Sequence, residues 1–185
     1  MKKTTFNNIH KKAGGKLVEF AGYEMPIQYE GIIAEHKAVR ESVGVFDVSH
    51  MGEVEIHGND AFAFVQKLTT NDVSKLDKGK VQYSSMCLEN GGVVDDLLVY
   101  HCGDYYMLVI NASNIDKDLA WMENNKFGDV EIKNISDEVS LLAVQGQNAL
   151  NTLQKLTDTD LSKIEYYNFE FGKVAGIDCI ISHTG

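Results

Sequence analysis

Two adjacent carboxylates interrupt an apolar segment of the chain. Residues 93–100 read Val-Val-Asp-Asp-Leu-Leu-Val-Tyr, which predicts a β-strand with Asp95 and Asp96 near its middle. Aspartate is disfavoured in strands and burial of its charge is costly, so a compensating group is expected nearby. Because side chains alternate along a strand, the two carboxylates must face opposite sides of the sheet. At most one of them can therefore look into a given cleft; alternatively, an aspartate in the middle of a strand is only a solvent-facing residue of a half-exposed sheet.

The segments on either side of this strand are typical of hairpin turns. Residues 89–92 read Glu-Asn-Gly-Gly and residues 101–104 read His-Cys-Gly-Asp, so the neighbouring strands should be antiparallel. The simplest registers give two predicted pairs, Leu88 with Val93 and Tyr100 with Tyr105.

These registers predict which side chains share a face with Asp96. Tyr83 would lie opposite Leu98, and Asn111 would lie opposite Val94, beside Asp96. An aromatic ring, a carboxylate and an amide on one face suit a flat heterocycle with polar edges. The alternatives stay open at this point: Tyr83 as an ordinary strand aromatic, and Asn111 as a residue that ends a strand or begins a helix.

The sequence gives little support for other kinds of active site or metal site. It contains no G-x-G-x-x-G, P-loop, nucleophile elbow or H-E-x-x-H motif, which argues against nucleotide-dependent dehydrogenases, P-loop NTPases, α/β-hydrolases and zincins. His50 and His57 have no neighbouring residue that would complete a metal shell, so no metal site is predicted. His36 lies on the apolar stripe of a predicted helix and is expected to pack there.

Composition and charge limit the classes of protein to which the chain can belong. Its 185 residues are 44% hydrophobic, which favours a globular protein. A net charge of -10 argues against nucleic-acid binding. No apolar run reaches the roughly 18 residues of a membrane span, and the first residues lack the apolar part of a signal peptide, so a cytoplasmic protein is expected. The three cysteines are odd in number and widely spaced, as reduced thiols would be.

Short helices and strands must position the carboxylates. Helical periodicity predicts four helices, at 31–43, 60–71, 114–127 and along Leu150, Leu153 and Leu156. Strands are predicted at 52–57, 81–88, 93–100, 105–111, 130–135, 139–145 and 170–182, the last interrupted near Gly176. The hairpins indicate an α+β class with mixed or antiparallel sheets, and the order from 52 to 135 is that of a ferredoxin-like unit with one extra strand.

At the same residues the sequence resembles the T protein of the glycine cleavage system, the aminomethyltransferase family. The motifs that carry the resemblance occur in order: FAGYEMPIQY (20–29), GVFDVSHMGE (44–53), LTTND (68–72), QYS (82–84), the segment 90–100, NASN (111–114) and DKD (116–118). Several spaced motifs in the right order are more specific than any one of them.

The resemblance implies a three-domain cloverleaf with tetrahydrofolate at its centre. This chain would supply the N-terminal two domains. Residues 1–54 and 137–185 would form the first domain, incomplete at its C-terminus, residues 55–136 the ferredoxin-like second domain, and the third domain would be absent.

The resemblance also implies an activity. In the family an aminomethyl group arrives on the lipoyl arm of H protein, its methylene passes to tetrahydrofolate, and ammonia is released. Asp96 matches the catalytic carboxylate, which could orient the nucleophile, accept a proton and stabilise a cation. Met51, Tyr83, Asp96 and Asn111 match positions that contact the folate.

Two departures from the family pattern shape the expectations. The chain is about half the usual length, so weak or absent activity and self-association of the fragment are expected. His183 stands where the family usually has arginine. Two other functions remain alternatives, a folate-dependent demethylase and a non-enzymatic folate-binding regulatory protein; the presence of Asp96 favours the enzymes.

Overall fold

The computed structural model describes residues 1–184. Its α-helices are α1 (Asn7–Lys12), α2 (Ile32–Glu41), α3 (Ala61–Leu68), α4 (Ile115–Asn124) and α5 (Ala149–Leu153). Its strands are β1 (Lys16–Phe20), β2 (Tyr23–Gln28), β3 (Gly44–Asp47), β4 (Gly52–His57), β5 (Val81–Cys87), β6 (Val93–His101), β7 (Tyr106–Ile110), β8 (Glu131–Asn134), β9 (Leu142–Gln145), β10 (Asn168–Val174) and β11 (Ile177–His183). None of these helices is long and apolar enough to cross a membrane.

A five-stranded antiparallel sheet forms the centre of the described chain, in the order β5-β6-β7-β4-β8. The predicted ferredoxin-like unit is confirmed, and the extra strand is β5, which lies at one edge. One face of the sheet packs against α3 and α4 in an apolar core that includes Val54, Phe64, Leu108 and Met122. The α+β class with antiparallel sheets is therefore correct.

The opposite face of the sheet contacts the C-terminal hairpin. Tyr100, Val109 and Phe169 lie in a second apolar cluster, with Met51 and Leu98 packed against it. Main-chain hydrogen bonds join the two parts: the Val81 amide donates to the Tyr167 carbonyl at 2.7 Å, and the Phe169 amide donates to the Gly79 carbonyl at 2.9 Å. The hairpin thus holds the edge strand that carries Tyr83.

Three two-stranded sheets, β1-β2, β3-β9 and β10-β11, make up the rest of the chain. Strand β4 already begins at Gly52, two residues before the end of the first segment of the expected first domain. The division into residues 1–54 with 137–185 and 55–136 stays a proposal.

The sequence patterns missed helix α1, so the prediction of four helices was wrong. Helix α1 buries polar side chains rather than an apolar stripe. Asn7 donates to the Glu24 carboxylate at 3.1 Å, and His10 hydrogen-bonds Asp47 at 2.8 Å and the Tyr29 hydroxyl at 2.7 Å. Long-range polar contacts leave no periodic apolar signal. Strands β1, β2 and β3 were missed as well.

Helix α2 exists where it was predicted, but its apolar stripe is only partly covered, at Val39. Ile32 and Ile33 are 64% and 74% exposed, and no residue of the helix is buried. His36 is exposed too, so the expectation that it packs on the stripe was wrong. The 3.6-residue period indicates the helix and says nothing about what covers it.

The run predicted at 170–182 is a hairpin of β10 and β11. Ala175 and Gly176 both have positive φ, 51° and 83°, and close the turn. His183, at the end of β11, hydrogen-bonds the Ile164 carbonyl through Nδ1 at 3.1 Å and packs edge-on against Tyr166.

Candidate functional site

Strands β5 and β6 and the end of β7 bring Tyr83, Asp96 and Asn111 together. Tyr83 lies opposite Leu98, as predicted. Its hydroxyl donates to Asp96 Oδ2 at 2.9 Å, and Asn111 Nδ2 donates to Asp96 Oδ1 at 3.2 Å. The Asp96 carboxylate is thus held by a donor on each side.

Both predicted turn pairs were wrong in register. A bulge after Met86 pairs Cys87, rather than Leu88, with Val93. In the second hairpin Tyr100 pairs with Met107 rather than with Tyr105, which is a shift of two residues.

The three side chains still share a face because neither error changes the parity of the pairing at these residues. The bulge lies beyond Asp96, so Tyr83 keeps its predicted partner. The second hairpin differs by two residues, and a strand repeats its facing every two residues. The pair of Leu97 with Ile110 places Asn111 level with Asp96 rather than with Val94. Contact between Asn111 and Asp96 is therefore more direct than predicted.

Asp95 and Asp96 face opposite sides, as alternation requires. Asp95 is 7% exposed and lies on the core face with Leu97 and Val99, whereas Asp96 is half-buried on the other face with Leu98. The alternative that Asp95 faces solvent is excluded. The compensating group expected for a buried carboxylate is in part Asn111, whose Nδ2 also donates to Asp95 Oδ1 at 3.1 Å.

Sequence reasoning missed a second buried carboxyl group beside Asp95. Asp118 of helix α4 is completely buried. Burial raises its pKa to about 7, with a further contribution from Asp95. Burial also acts to raise the pKa of Asp95, but the polar groups of Asp118, Asn114 and Asn111 outweigh it and lower that pKa below its usual value. A signal was available, because Asp118 falls on the apolar stripe of α4 with Ile115.

Tyr83 presents apolar surface beside the Asp96 carboxylate, and Met51 lies farther away on the same face, across strand β7. Tyr83 is 52% exposed, so one side of its ring is open. The hydrogen bond to Asp96 raises the pKa of the Tyr83 hydroxyl, which therefore stays a donor at neutral pH. Met51 directly precedes β4, whose Gly52 pairs with Ile110, so Met51 and Asn111 flank the same end of the sheet. All four predicted site residues thus lie on one face.

Glu53 is a further carboxyl group on this face that the sequence patterns did not single out. It lies opposite Val109, in the row of the sheet that continues through Leu98 to Tyr83. Glu53 is 3% exposed, its Oε1 has no partner within the described residues, and burial raises its pKa to about 7.

The charge of Asp96 is free for a ligand. Within residues 1–184 no lysine, arginine or histidine forms an ion pair with Asp96; its partners are the neutral donors Tyr83 and Asn111. An oriented carboxylate beside an open aromatic ring, with a thioether on the same face, fits a planar heterocycle that carries N–H groups or develops positive charge. In the same part of the chain no three His, Cys, Asp or Glu side chains could hold a metal ion.

Comparison with known proteins assigns the chain to a protein family. The profile described as the GCVT N-terminal domain matches residues 6–185. The chain belongs to this family. The aminomethyltransferase of Chloroherpeton thalassium is 56% identical over all of this chain and 52% of its own length, and that of Thermoanaerobacter sp. is 55% identical over all of this chain and 51% of its own length.

A solved structure agrees with the assignment to the GCVT N-terminal domain family. The glycine cleavage system aminomethyltransferase T from Bartonella henselae superposes with a TM-score of 0.87 at 31% identity, over 93% of this chain and 48% of that one. The chain therefore has the fold of the N-terminal part of that protein, and it spans about half the length of the curated relatives it matches. The predicted resemblance to the T protein is confirmed.

Proposed function

We propose that this chain takes part in folate-dependent aminomethyl transfer of glycine cleavage. The reaction would move the methylene of an aminomethyl group on the lipoyl arm of H protein to tetrahydrofolate, with release of ammonia and of the dihydrolipoyl form of H protein. The observation that carries the proposal is the half-buried Asp96 carboxylate, held between Tyr83 and Asn111 without a cationic partner among residues 1–184. The names of the relatives support the same reaction class.

Asp96 would supply the electrostatic part of catalysis. Tetrahydrofolate supplies the amine nitrogens that accept the one-carbon unit. A carboxylate about 4 Å from positive charge developing on that unit contributes about 4 kcal/mol of attraction at an effective dielectric of about 20. Because Tyr83 and Asn111 donate to different oxygens, the carboxylate is already oriented before the ligand binds. It could also take the proton that the nucleophile loses.

Tyr83 and Met51 would bind and orient the folate, and Asn111 would act mainly through Asp96. Tyr83 would stack on the heterocycle through its exposed ring, and Met51 would pack against it. The Asn111 amide is already engaged with Asp95 and Asp96, so its main contribution would be to hold Asp96 in place. A cytoplasmic site of action belongs to the same proposal, since the relatives named above are bacterial.

Replacement of Asp96 tests the function. Tetrahydrofolate binding by the chain is measured calorimetrically. Transfer is measured with H protein that carries the aminomethyl group, at high chain concentration, so that the weak activity expected of this chain is still detected. Asp96→Asn should lower transfer by about 100-fold or more, because removal of one electrostatic group of this kind costs that much. Asp104→Asn, at an exposed turn position, is the matched control and should behave as wild type.

Several outcomes would count against the proposal. Unchanged transfer in Asp96→Asn with intact folate binding would remove Asp96 from the mechanism. Absence of folate binding by the wild-type chain would contradict the proposed site. Methylated amines and sulfur compounds, offered in parallel with H protein, test the demethylase alternative. Faster transfer from these donors would assign the site to demethylation.

A further inference from the structure

Two carboxyl groups face each other on the core side of the sheet, directly beneath the candidate site. Asp118 is completely buried and Asp95 is 7% exposed. Among the described residues, no N–H or O–H group forms a hydrogen bond with Asp95 Oδ2 or with either oxygen of Asp118, although the two carboxyl groups lie within hydrogen-bonding reach of each other. Oxygens in this position normally have a donor.

A shared proton resolves this arrangement. Two ionised carboxylates in contact repel each other and have lost the water that would stabilise their charge, so one of them keeps its proton. A protonated carboxyl becomes a hydrogen-bond donor, which supplies the missing O–H between the two groups. The Asp95–Asp118 pair then contains one acid and one carboxylate.

The remaining contacts decide which residue carries the proton. Asp95 Oδ1 accepts from Asn111 Nδ2 at 3.1 Å, which favours the ionised form of Asp95. Asp118 accepts from no described donor. The nearest cation, Lys117 Nζ, is 4.0 Å from Asp118 Oδ1, but its side chain is half-exposed and it also donates to the Val94 carbonyl. The other charged group nearby, Asp96, would repel a second negative charge.

We propose that Asp118 is a positioning residue that stays protonated and donates to Asp95, so that Asp95 holds the Asn111 amide in the orientation that fixes Asp96. The chain of contacts runs from Asp118 through Asp95 Oδ1 and Asn111 Nδ2 to Asp96 Oδ1. The role at Asp96 rests on the proposed function; the proton on Asp118 does not.

The orientation of the Asn111 amide depends on Asp95. Its NH2 group donates to Asp95 Oδ1, to the Asp96 carbonyl and to Asp96 Oδ1, at 3.1, 3.2 and 3.2 Å. A flipped amide would turn its oxygen towards two carboxylates, which is unfavourable. If Asp118 lost its proton, Asp95 would move away from the new charge, and the Asn111 contact with Asp96 would loosen.

Carbon-detected NMR titration of the aspartate carboxyl groups tests the proton directly, without folate. In the wild-type chain one aspartate should still be protonated at about pH 6, where ordinary aspartates, with a pKa of about 3.9, are ionised. That signal should disappear in Asp118→Asn, whose amide supplies a permanent donor to Asp95. Titration of every aspartate below about pH 5 would overturn the proposal.

Folate binding and transfer test the positioning role. Asp118→Asn should retain tetrahydrofolate affinity and transfer within about 3-fold, whereas Asp118→Leu, of similar size but with no donor, should lower transfer by about 10-fold or more, as loss of a hydrogen bond to a charged group does. Asp116→Asn, exposed on the same helix, is the control. The Asn111 side-chain amide resonances should shift in Asp118→Leu and stay in place in Asp118→Asn.

The outcomes separate the two proposals. A protonated Asp118 in a wild-type chain that binds no folate would contradict the proposed function and leave the proton assignment intact. Normal folate binding and transfer in Asp118→Leu would overturn the positioning role. If Asp118→Leu does not fold, the decision falls to Asp118→Asn: a large loss of transfer there would contradict the proposal, since the donor is retained.

Discussion

At the scale of single residues, the candidate site is a carboxylate fixed by neutral donors. Asp96 accepts from the Tyr83 hydroxyl and from the Asn111 amide, and neither donor cancels its charge. A lysine or arginine in their place would form an ion pair and weaken the attraction for a positively charged ligand group. Neutral donors therefore orient the carboxylate and leave its charge available.

The buried Glu53 carboxyl group should make the stability of the folded chain depend on pH. Burial raises its pKa from 4.5 to about 7, so the folded chain holds a proton that the unfolded chain releases. The stabilising effect of this proton is complete below pH 4.5 and is lost as pH rises to about 7. Glu53→Gln cannot ionise, so its stability relative to wild type should rise by about 3 kcal/mol between pH 4.5 and about pH 8.

Denaturant unfolding at several pH values measures this difference. Glu131→Gln, at an exposed position of β8, is the control and should show a flat difference. Asp118 titrates in the same range, but it is present in wild type and variant alike and cancels in the comparison. A flat difference for Glu53→Gln would show that Glu53 ionises normally in the folded chain.

The sequence predicted part of this chemistry. Alternation along residues 93–100 correctly separated Asp95 from Asp96, and the predicted pair of Tyr83 with Leu98 correctly placed Tyr83 beside Asp96. It did not predict the partner of Asp95, because contact between a strand and a distant helix depends on tertiary packing. Asp118 could have been noticed as a carboxylate on an apolar stripe, but its partner could not.

At the scale of elements, the register of two hairpins determines the site. Parity alone decides which face of a strand each residue takes, so the facing of these residues is predictable from the sequence. Which residues pair is less predictable, because the bulge after Met86 and the turn at 102–105 depend on local backbone geometry. The shift of Asn111 from Val94 to Asp96 is of this kind. Element positions are thus easier to predict than contacts.

Gly52 lies where two strands and a helix pack too closely for a larger side chain. A Cβ atom there would meet Ile110 Cγ1 at 2.7 Å and Ile115 Cγ1 at 2.8 Å, at the junction of β4, β7 and α4. Gly52→Ala should therefore destabilise the chain by about 1–3 kcal/mol, as overpacking does. It should also weaken folate binding, because Met51 and Asn111 flank this junction.

Gly91→Ala is the matched control for Gly52→Ala. Gly91 lies in the turn between β5 and β6 with φ of +84°, and a Cβ atom at this position would have no other atom within 4 Å. The cost should therefore be about 1 kcal/mol of backbone strain, with folate binding unchanged. Thermal unfolding and calorimetric titration measure the two effects. Equal losses of stability and binding in both variants would contradict the role assigned to the junction.

At the scale of the whole molecule, apolar side chains are exposed on several elements. They include Phe20, Ile27, Ile32, Ile33, Val45, Phe46, Phe171 and Ile177. Exposed apolar surface of this extent is typical of surfaces that associate. The net charge of -10 opposes association at low ionic strength and is screened by salt.

We therefore expect the chain to self-associate. Light scattering should give a mass above that of the monomer at high concentration, and the excess should grow with salt. Ile33→Gln, at a position 74% exposed, should reduce the excess mass, whereas Lys37→Gln on the same helix should not. A monomer at every concentration and salt level would contradict this prediction.

The main-chain hydrogen bonds between the C-terminal hairpin and strand β5 have a mechanical consequence. Val81 and Phe169 are far apart in sequence, yet each donates its amide to the segment that contains the other's neighbours. Edge strands usually fray alone, but release of β5 would also require release of the hairpin. Tyr83 therefore lies on an edge strand that is held by hydrogen bonds to the hairpin. Strand β5 and the C-terminal hairpin should open as one cooperative unit.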